Sequence, residues 1–154
     1  MARAEEIPPP LLGALLRIPW EHIRARMLDG LHERGHSDVI AAHLTVLQYP
    51  GPDGVRPSDL ASRTGMSKQA LNYLLRQLEQ LGYLTREGDS EDLRSKRIRL
   101  TARGHEAIRT MREIVSDVER EWEHALGDQP LEQLRVVLRR LRTIIEQPTE
   151  TGGT

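Results

Sequence analysis

Cysteine is absent from this sequence, and long apolar runs are absent too. None of its 154 residues is cysteine, which excludes disulfide bonds, a thiol nucleophile, a cysteine-based zinc site and a thiol redox switch. No apolar run approaches the roughly 20 residues that a membrane-spanning helix needs. The N-terminal residues lack the basic-then-apolar layout of a signal peptide. We therefore expect a cytoplasmic protein without a membrane anchor.

Motifs of common catalytic and cofactor sites are also missing. The sequence has no G-x-S-x-G, no phosphate-binding glycine loop and no H-E-x-x-H. Its six histidines include a pair four residues apart, His32 and His36. Gly35 lies between them, and no acidic or histidine cluster with ligand spacing surrounds them. We therefore predict no enzymatic activity, no cofactor and no metal site.

Net charge is small, but it is unevenly distributed. The 22 Lys and Arg nearly balance the 23 Asp and Glu, for a net charge of −1, whereas a nucleic-acid-binding domain is usually basic. Residues 56–104 contain ten basic and six acidic residues, a local charge of +4, and the rest contains 12 basic and 17 acidic residues, or −5. A basic centre between acidic flanks indicates one surface that faces an anion. A solvated surface of mixed charge is the alternative.

Hydrophobic periodicity predicts helices at both ends of the chain. Apolar residues at three- and four-residue spacing predict a first helix over 12–31, with a kink or a new first turn at Pro19. Asp38 is the expected N-cap of a second helix through Leu47. Thr101 is expected to cap a long helix with an apolar stripe over 108–125. A break at Gly127 separates it from a last helix with a stripe over 131–145.

Residues 57–81 have the pattern of a helix-turn-helix. Pro57 opens a short helix that ends at Gly65, and Ser67 caps a second helix through about Leu81. Leucines at 71, 74, 75, 78 and 81 give this second helix a buried face. The opposite face suits contacts with base edges and phosphates in a major groove, although any polar helix face would share its composition. The candidate DNA-binding residues here are Ser67, Lys68, Gln69, Asn72, Tyr73 and Arg76.

A β-hairpin is predicted directly after this helix. Strands over 84–87 and 97–100 flank a polar tip, which together with the two helices makes a winged helix-turn-helix. Arg94, Lys96 and Arg97 are candidate DNA-binding residues, and Arg94 is placed to enter a narrow minor groove. Asp92 is expected to orient an arginine such as Arg97, so that Arg94 is presented to the DNA. A solvated turn with compensating charges is the alternative.

These motifs resemble a known family. The segment D-S-E-D-L-R-S-K-R-I-R-L-T-A-R-G over 89–104 resembles the wing of MarR-type transcription regulators, with D-x-R-x-x-R at Asp92, Arg94 and Arg97 followed by L-T-x-x-G. Residues 58–84 resemble the helix-turn-helix of the same family. The chain departs from the family at Arg56, where a capping Ser or Thr is frequent, and at Pro19. The resemblance covers about 55–140 by motif and helix order.

The resemblance implies a mainly α fold, a winged helix-turn-helix with a small β-hairpin wing, whose N- and C-terminal helices form a dimerisation domain. The corresponding bounds are 1–36 and 102–147 for the helical dimerisation region, 37–101 for the DNA-binding domain and 148–154 for a flexible tail. The three apolar stripes also favour a partner copy, because they exceed what one small winged domain can cover. Closure of the stripes within one chain is the alternative.

The function implied is that of a homodimeric, sequence-specific regulator, expected to be a repressor, bound to double-stranded DNA. Two recognition helices about one helical turn, ~34 Å, apart would select a near-palindromic site. The competing hypothesis is a winged-helix module that binds proteins and not DNA. Exposed apolar residues on the recognition face would favour it, and that face has only Tyr73.

Proteins that resemble this family often bind a small aromatic or phenolic effector between the dimer helices and the DNA-binding part. The candidate residues for such a pocket are Trp20, Met27, His43 and Tyr49. Trp20 and Met27 belong to the apolar stripe of the first helix, and ordinary packing is the favoured interpretation for both. His43 has the spacing of a core or boundary histidine, which favours packing over a role in ligand binding.

Overall fold

A computed structural model of the protein describes residues 9–51, 53–88 and 96–147. Within these ranges the fold is mainly helical with one two-stranded antiparallel sheet, as the sequence predicts. The helices are α1 (Leu12–Glu33), α2 (Ala41–Leu47), α3 (Pro57–Thr64), α4 (Lys68–Gln80), α5 (Ala102–Leu126) and α6 (Asp128–Glu146). The strands are β1 (Leu84–Glu87) and β2 (Arg97–Leu100).

The ends of the central helices follow their sequence signals. Gly65 ends α3 in the left-handed conformation, with φ of 66°, which a residue without Cβ adopts at little cost. Ser67 caps α4, and its hydroxyl oxygen accepts a hydrogen bond from the amide of Ala70 at 3.2 Å. Thr101 precedes α5, and its hydroxyl accepts from the amide of Gly104 at 3.1 Å. These caps satisfy amides that have no partner within their own helices.

Val55, a residue of the loop between α2 and α3, pairs with strand β2 of the hairpin. In the β1–β2 pair, Leu84 lies opposite Leu100 and Glu87 lies opposite Arg97. Val55 exchanges both backbone hydrogen bonds with Ile98, at 3.0 and 2.8 Å. The α2–α3 loop is therefore tied directly to the wing.

The described residues up to Val115 form one compact unit around a single core. The buried face of α4 consists of Leu71, Leu74, Leu75 and Leu78, as predicted, with Leu81 partly buried beside it. The core also includes one or more side chains from each of α1, α2, α3, β1, β2 and α5: Met27, Leu31, Leu44, Leu47, Leu60, Leu84, Ile98, Met111 and Ile114. This core fixes the helix-turn-helix against the helices that flank it.

The described residues from Ser116 onward form a second compact unit, made of the end of α5 and of α6. Arg135 of α6 pairs with Glu119 at 2.8 Å and with Glu123 at 3.7 Å, both on α5. Leu131 is buried. In the described part of the chain, no helix combines the length and apolar character that a membrane crossing requires.

The structure decides between the alternatives at Pro19 and corrects the prediction for Asp38. Pro19 lies inside α1, which runs continuously from Leu12 to Glu33, so the alternative of a new first turn is wrong. The sequence could not decide this, because proline is accepted at a first turn and also, for the loss of one hydrogen bond, inside a helix. Asp38 does not cap α2, which begins at Ala41 after Ile40. Its carboxylate is instead bound by Tyr83 and Arg103.

Candidate nucleic-acid interface

The outer face of α4 presents polar side chains, as the helix-turn-helix pattern predicts. Ser67, Lys68, Gln69 and Arg76 are exposed, and Asn72 is half-buried. Tyr73 is 62% exposed, and its hydroxyl oxygen accepts a hydrogen bond from Nε2 of Gln77 at 3.0 Å. Gln77 was not predicted as a site residue, because neither its position nor its type distinguishes it from any other polar helix residue. The side chains of this face can donate to phosphates and base edges.

The wing is described only in part. Lys96 and Arg97 are half-buried, and Arg99 pairs with Glu87 across the two strands at 2.7 Å. Arg94 and Asp92, the predicted minor-groove residue and its orienting carboxylate, lie outside the described residues. Their roles stay predictions.

The exit of α4 is fastened to the first turn of α5 through three consecutive carbonyl groups. Arg103 donates to the carbonyl of Leu81, and the hydroxyl of Thr101 donates to that of Gly82 at 2.5 Å. The amide of Thr101 donates to the carbonyl of Tyr83 at 3.1 Å. The three accepting residues directly follow Gln80, the last residue of α4, so the bonds attach the segment that leaves α4 to the start of α5. We call this contact the α4–α5 junction.

A partly buried polar cluster supports the α4–α5 junction. The Tyr83 hydroxyl donates to Oδ1 of Asp38 at 2.6 Å and lies 3.0 Å from Nδ1 of the buried His36. Arg103 binds both oxygens of Asp38, at 3.0 and 3.2 Å, and its guanidinium lies 4.4 Å from the centre of the Tyr83 ring. The cluster thus joins the α1–α2 turn, the start of β1 and the first turn of α5.

The charges of this cluster are mutually stabilised. Burial by itself raises the pKa of Asp38, but the hydrogen bond from Tyr83 and the positive charge of Arg103 outweigh it and hold the pKa below its usual value of 3.8. Burial and the Asp38 carboxylate raise the pKa of Tyr83 well above its usual value of 10.0. The phenol therefore stays protonated and donates to an ionised carboxylate.

The four candidate effector residues lie in different environments. Met27 and His43 are buried, at 5% and 2% exposure, whereas Trp20 is 45% exposed on α1. Packing explains Met27, as the favoured interpretation had it, whereas Trp20 is not part of the core of the described residues, contrary to that interpretation. Tyr49 lines a cavity of about 240 Å³ together with Arg63 and Arg97. Whether any of the four contacts an effector stays a prediction.

A second cavity of about 380 Å³ lies between the α2–α3 loop and α5. Three basic residues on one side of α5, spaced by four and three positions, contribute to it: His105, Arg109 and Arg112. It is lined by Pro50, Gly51, Leu100, His105, Ile108, Arg109 and Arg112. Apolar side chains next to the guanidinium groups of Arg109 and Arg112 suit an aromatic molecule that carries an anionic substituent.

The histidine pair of the sequence has other partners in the structure. Nε2 of His32 lies 2.6 Å from the carbonyl oxygen of Val39, and His36 contacts Tyr83. Among the described residues, no group of three or more His, Asp or Glu side chains could hold a metal ion.

Comparison with known proteins finds a family match in the central part of the chain. Residues 37–95 match the model of the MarR family. The transcriptional repressor MprA of Escherichia coli K12 is 23% identical over 135 residues, which are 85% of this chain and 77% of that protein.

Solved structures share the fold. The reduced form of MarR from E. coli superimposes with a TM-score of 0.71 at 22% identity, over 89% of this chain and 98% of that one. The MepR–DNA complex of S. aureus gives a TM-score of 0.67 at 22% identity, over 88% of this chain and 98% of that one. At these identities the superpositions show a common winged helix fold.

Proposed function

We propose that this chain, a transcriptional regulator with a MarR-type winged helix-turn-helix, binds a specific, near-palindromic DNA site as a homodimer and represses transcription. The observation that carries the proposal is the exposed polar face of α4, which is held by a capped helix-turn-helix and followed by a hairpin that carries Lys96 and Arg97. The MepR–DNA complex supports DNA binding, because it has the same fold bound to DNA. The name of MprA supports a repressor role. Action on chromosomal DNA would place the protein in the cytoplasm.

Exposed apolar side chains in both compact units of the chain support a dimer. In the first half of α1, Leu12, Leu15 and Ile18 are between 50% and 64% exposed. On α6, Ile144 and Ile145 are 68% and 79% exposed. Runs of exposed aliphatic side chains on two terminal helices are typical of an interface between subunits. We propose 1–36 and 102–147 as the dimerisation region, 37–101 as the DNA-binding domain and 148–154 as a flexible tail.

Release by a small aromatic or phenolic effector is part of the proposal. The cavity between the α2–α3 loop and α5 supports it, because its volume of about 380 Å³ lies in the range of ligand pockets. Gly51 lines both this cavity and the one that contains Arg97. An occupant could therefore displace the loop that Val55 ties to the wing.

Salt-dependent binding tests the DNA function. The probes are duplexes that the protein selects from a random-sequence pool, and an unrelated duplex measured at the same salt. We expect the logarithm of the association constant to fall linearly with the logarithm of salt concentration, since bound phosphates release counterions. A folded protein that binds no duplex in a salt-dependent manner would overturn the proposal.

Substitutions on the two DNA-binding elements should separate affinity from sequence preference. We expect Arg94→Ala to weaken binding strongly, and Arg76→Ala to weaken it by about 1–3 kcal/mol. Gln69→Ala and Asn72→Ala should mainly relax the preference for the selected sequence. Arg140→Ala removes an exposed arginine of α6 and should leave DNA binding unchanged. Binding of a protein partner through the α4 face, with DNA binding unaffected by these changes, would favour the competing interaction module.

A further inference from the structure

Tyr73, the exposed aromatic residue of the recognition face, is connected to the core by a chain of hydrogen bonds. The backbone amide of Ile40 donates to Nδ1 of His43 at 3.3 Å. Nε2 of His43 lies 3.1 Å from Oε1 of Gln77, and Nε2 of Gln77 donates to the Tyr73 hydroxyl oxygen at 3.0 Å. We call His43, Gln77 and Tyr73 the α2–α4 relay.

The direction of every bond in the relay follows from its first donor. A backbone amide can only donate, so Nδ1 of His43 must accept, and the imidazole is neutral with its hydrogen on Nε2. Nε2 then donates to the Gln77 oxygen, which fixes the orientation of the amide and turns its nitrogen toward Tyr73. The Tyr73 oxygen accepts this bond. Its own hydrogen is consequently left to donate away from Gln77.

Burial falls steadily along the relay. His43 is 2% exposed within the core, Gln77 is half-buried, and Tyr73 is 62% exposed. The rigid end of the relay thus lies on α2, and its outer end lies on the surface of α4 that carries Lys68, Gln69 and Arg76. Without such hydrogen bonds, an exposed tyrosine side chain would populate several rotamers. Restricting it to one rotamer before binding reduces the conformational entropy that is lost when the DNA binds.

We propose that His43 and Gln77 are positioning residues for DNA binding, which hold the Tyr73 hydroxyl as a hydrogen-bond donor to a phosphate oxygen of the DNA. The proposal rests on the proposed function, because it requires that the α4 face binds DNA. A phosphate is the acceptor that suits this geometry, since a bond from a neutral hydroxyl to an anionic oxygen is stronger than one to a neutral acceptor. The contact adds affinity without reading sequence.

A double-mutant cycle on DNA binding tests the coupling. We expect Tyr73→Phe to weaken binding about tenfold on selected and unrelated duplexes alike, the loss of one hydrogen bond to a charged group. Gln77→Leu should weaken binding about threefold when Tyr73 is present and not at all in the Tyr73→Phe background. Neither change removes a charge, so the salt dependence should keep its slope, whereas Arg76→Ala should reduce the slope by about 1.

The matched control is Gln80→Leu, the same substitution at an exposed position of the same helix. It should leave DNA affinity unchanged in both backgrounds. An effect of Gln77→Leu that persists undiminished in the Tyr73→Phe background would overturn the relay. So would a Tyr73→Phe protein that binds duplexes as tightly as the unsubstituted protein.

The relay also has a spectroscopic signature that needs no DNA. Nitrogen-15 NMR of the folded protein should show His43 as a neutral imidazole with its hydrogen on Nε2, and Gln77→Leu should move the Nε2 resonance more than the Nδ1 resonance. A hydrogen on Nδ1 would reverse the bonds and overturn the proposal. If the protein binds no duplex while His43 has the expected tautomer, the proposed function fails and the intramolecular relay does not.

Discussion

At the scale of the residue, Asp38 is the carboxylate on which the polar cluster depends. It accepts from the Tyr83 hydroxyl at 2.6 Å and from Arg103 at 3.0 Å, and these partners hold its pKa below the value of 3.8 expected for an isolated side chain. A carboxyl group with a lowered pKa in the folded state stabilises that state above the pKa of the unfolded chain. The stabilisation is lost as the pH falls through the lower, folded value.

We therefore expect Asp38→Asn to lower the thermal unfolding midpoint at neutral pH. The difference from the unsubstituted protein should shrink as the pH falls below about 4. Thermal unfolding followed by circular dichroism from pH 3 to pH 7 measures this. Asp29→Asn, at an exposed position of α1, is the control and should give a curve parallel to that of the unsubstituted protein. A destabilisation by Asp38→Asn that does not change with pH would show that its charge is not involved.

At the scale of the element, the α4–α5 junction depends on how closely two segments of backbone approach. Gly104 lies in the first turn of α5, and a Cβ atom there would collide with the carbonyl oxygen of Tyr83. That oxygen belongs to the backbone and is itself bound by the amide of Thr101, so it cannot move without breaking the junction. This gives a physical reason for the glycine of the L-T-x-x-G motif.

Gly104→Ala should consequently destabilise the fold by about 1–3 kcal/mol, the usual cost of overpacking a tight contact. Chemical denaturation gives the free energy of unfolding. Gly13→Ala, which would meet no atom within 4 Å, should leave the free energy unchanged or raise it slightly, because alanine favours helix. Equal stability of the Gly104→Ala protein and the unsubstituted protein would mean that the two segments are free to separate.

At the scale of the whole molecule, subunit association should depend on the apolar stripe of α6. Leu141 and Ile145 lie on this stripe and are 37% and 79% exposed. A carboxylate at either position would have to be desolvated in an interface. We expect Leu141→Glu and Ile145→Glu to convert a dimer into monomers and to weaken binding to a two-half-site duplex at least tenfold, since a monomer contacts one half-site.

Sedimentation or light scattering at several protein concentrations measures the association. Thr143→Glu introduces the same carboxylate at an exposed position about 160° around the helix from the stripe and should leave the mass unchanged. If the Leu141→Glu and Ile145→Glu proteins keep the mass of a dimer, α6 is not part of the interface. If the unsubstituted protein is a monomer, its apolar stripes close within one chain, as the alternative for the sequence allowed.

The sequence by itself determined the elements and the face of α4 that the site uses. Hydrophobic spacing, the Ser67 and Thr101 caps and the glycine at 65 are local signals, and their energies depend on residues within a few positions of one another. For that reason the bounds of α3, of α4 and of both strands agree with the predicted ones within a residue, and the leucine face of α4 was predicted correctly.

The tertiary structure alone decided which distant polar groups meet. Asp38 was predicted to be a helix cap because a local cap is the only partner that spacing can offer, yet its partners lie 45 and 65 residues away. Gln77 contacts His43, which is 34 residues distant. Such pairings depend on how the helices pack, and packing is set by the whole core. The proposed DNA-binding face therefore follows from the local sequence, whereas the contacts that position this face depend on the tertiary structure.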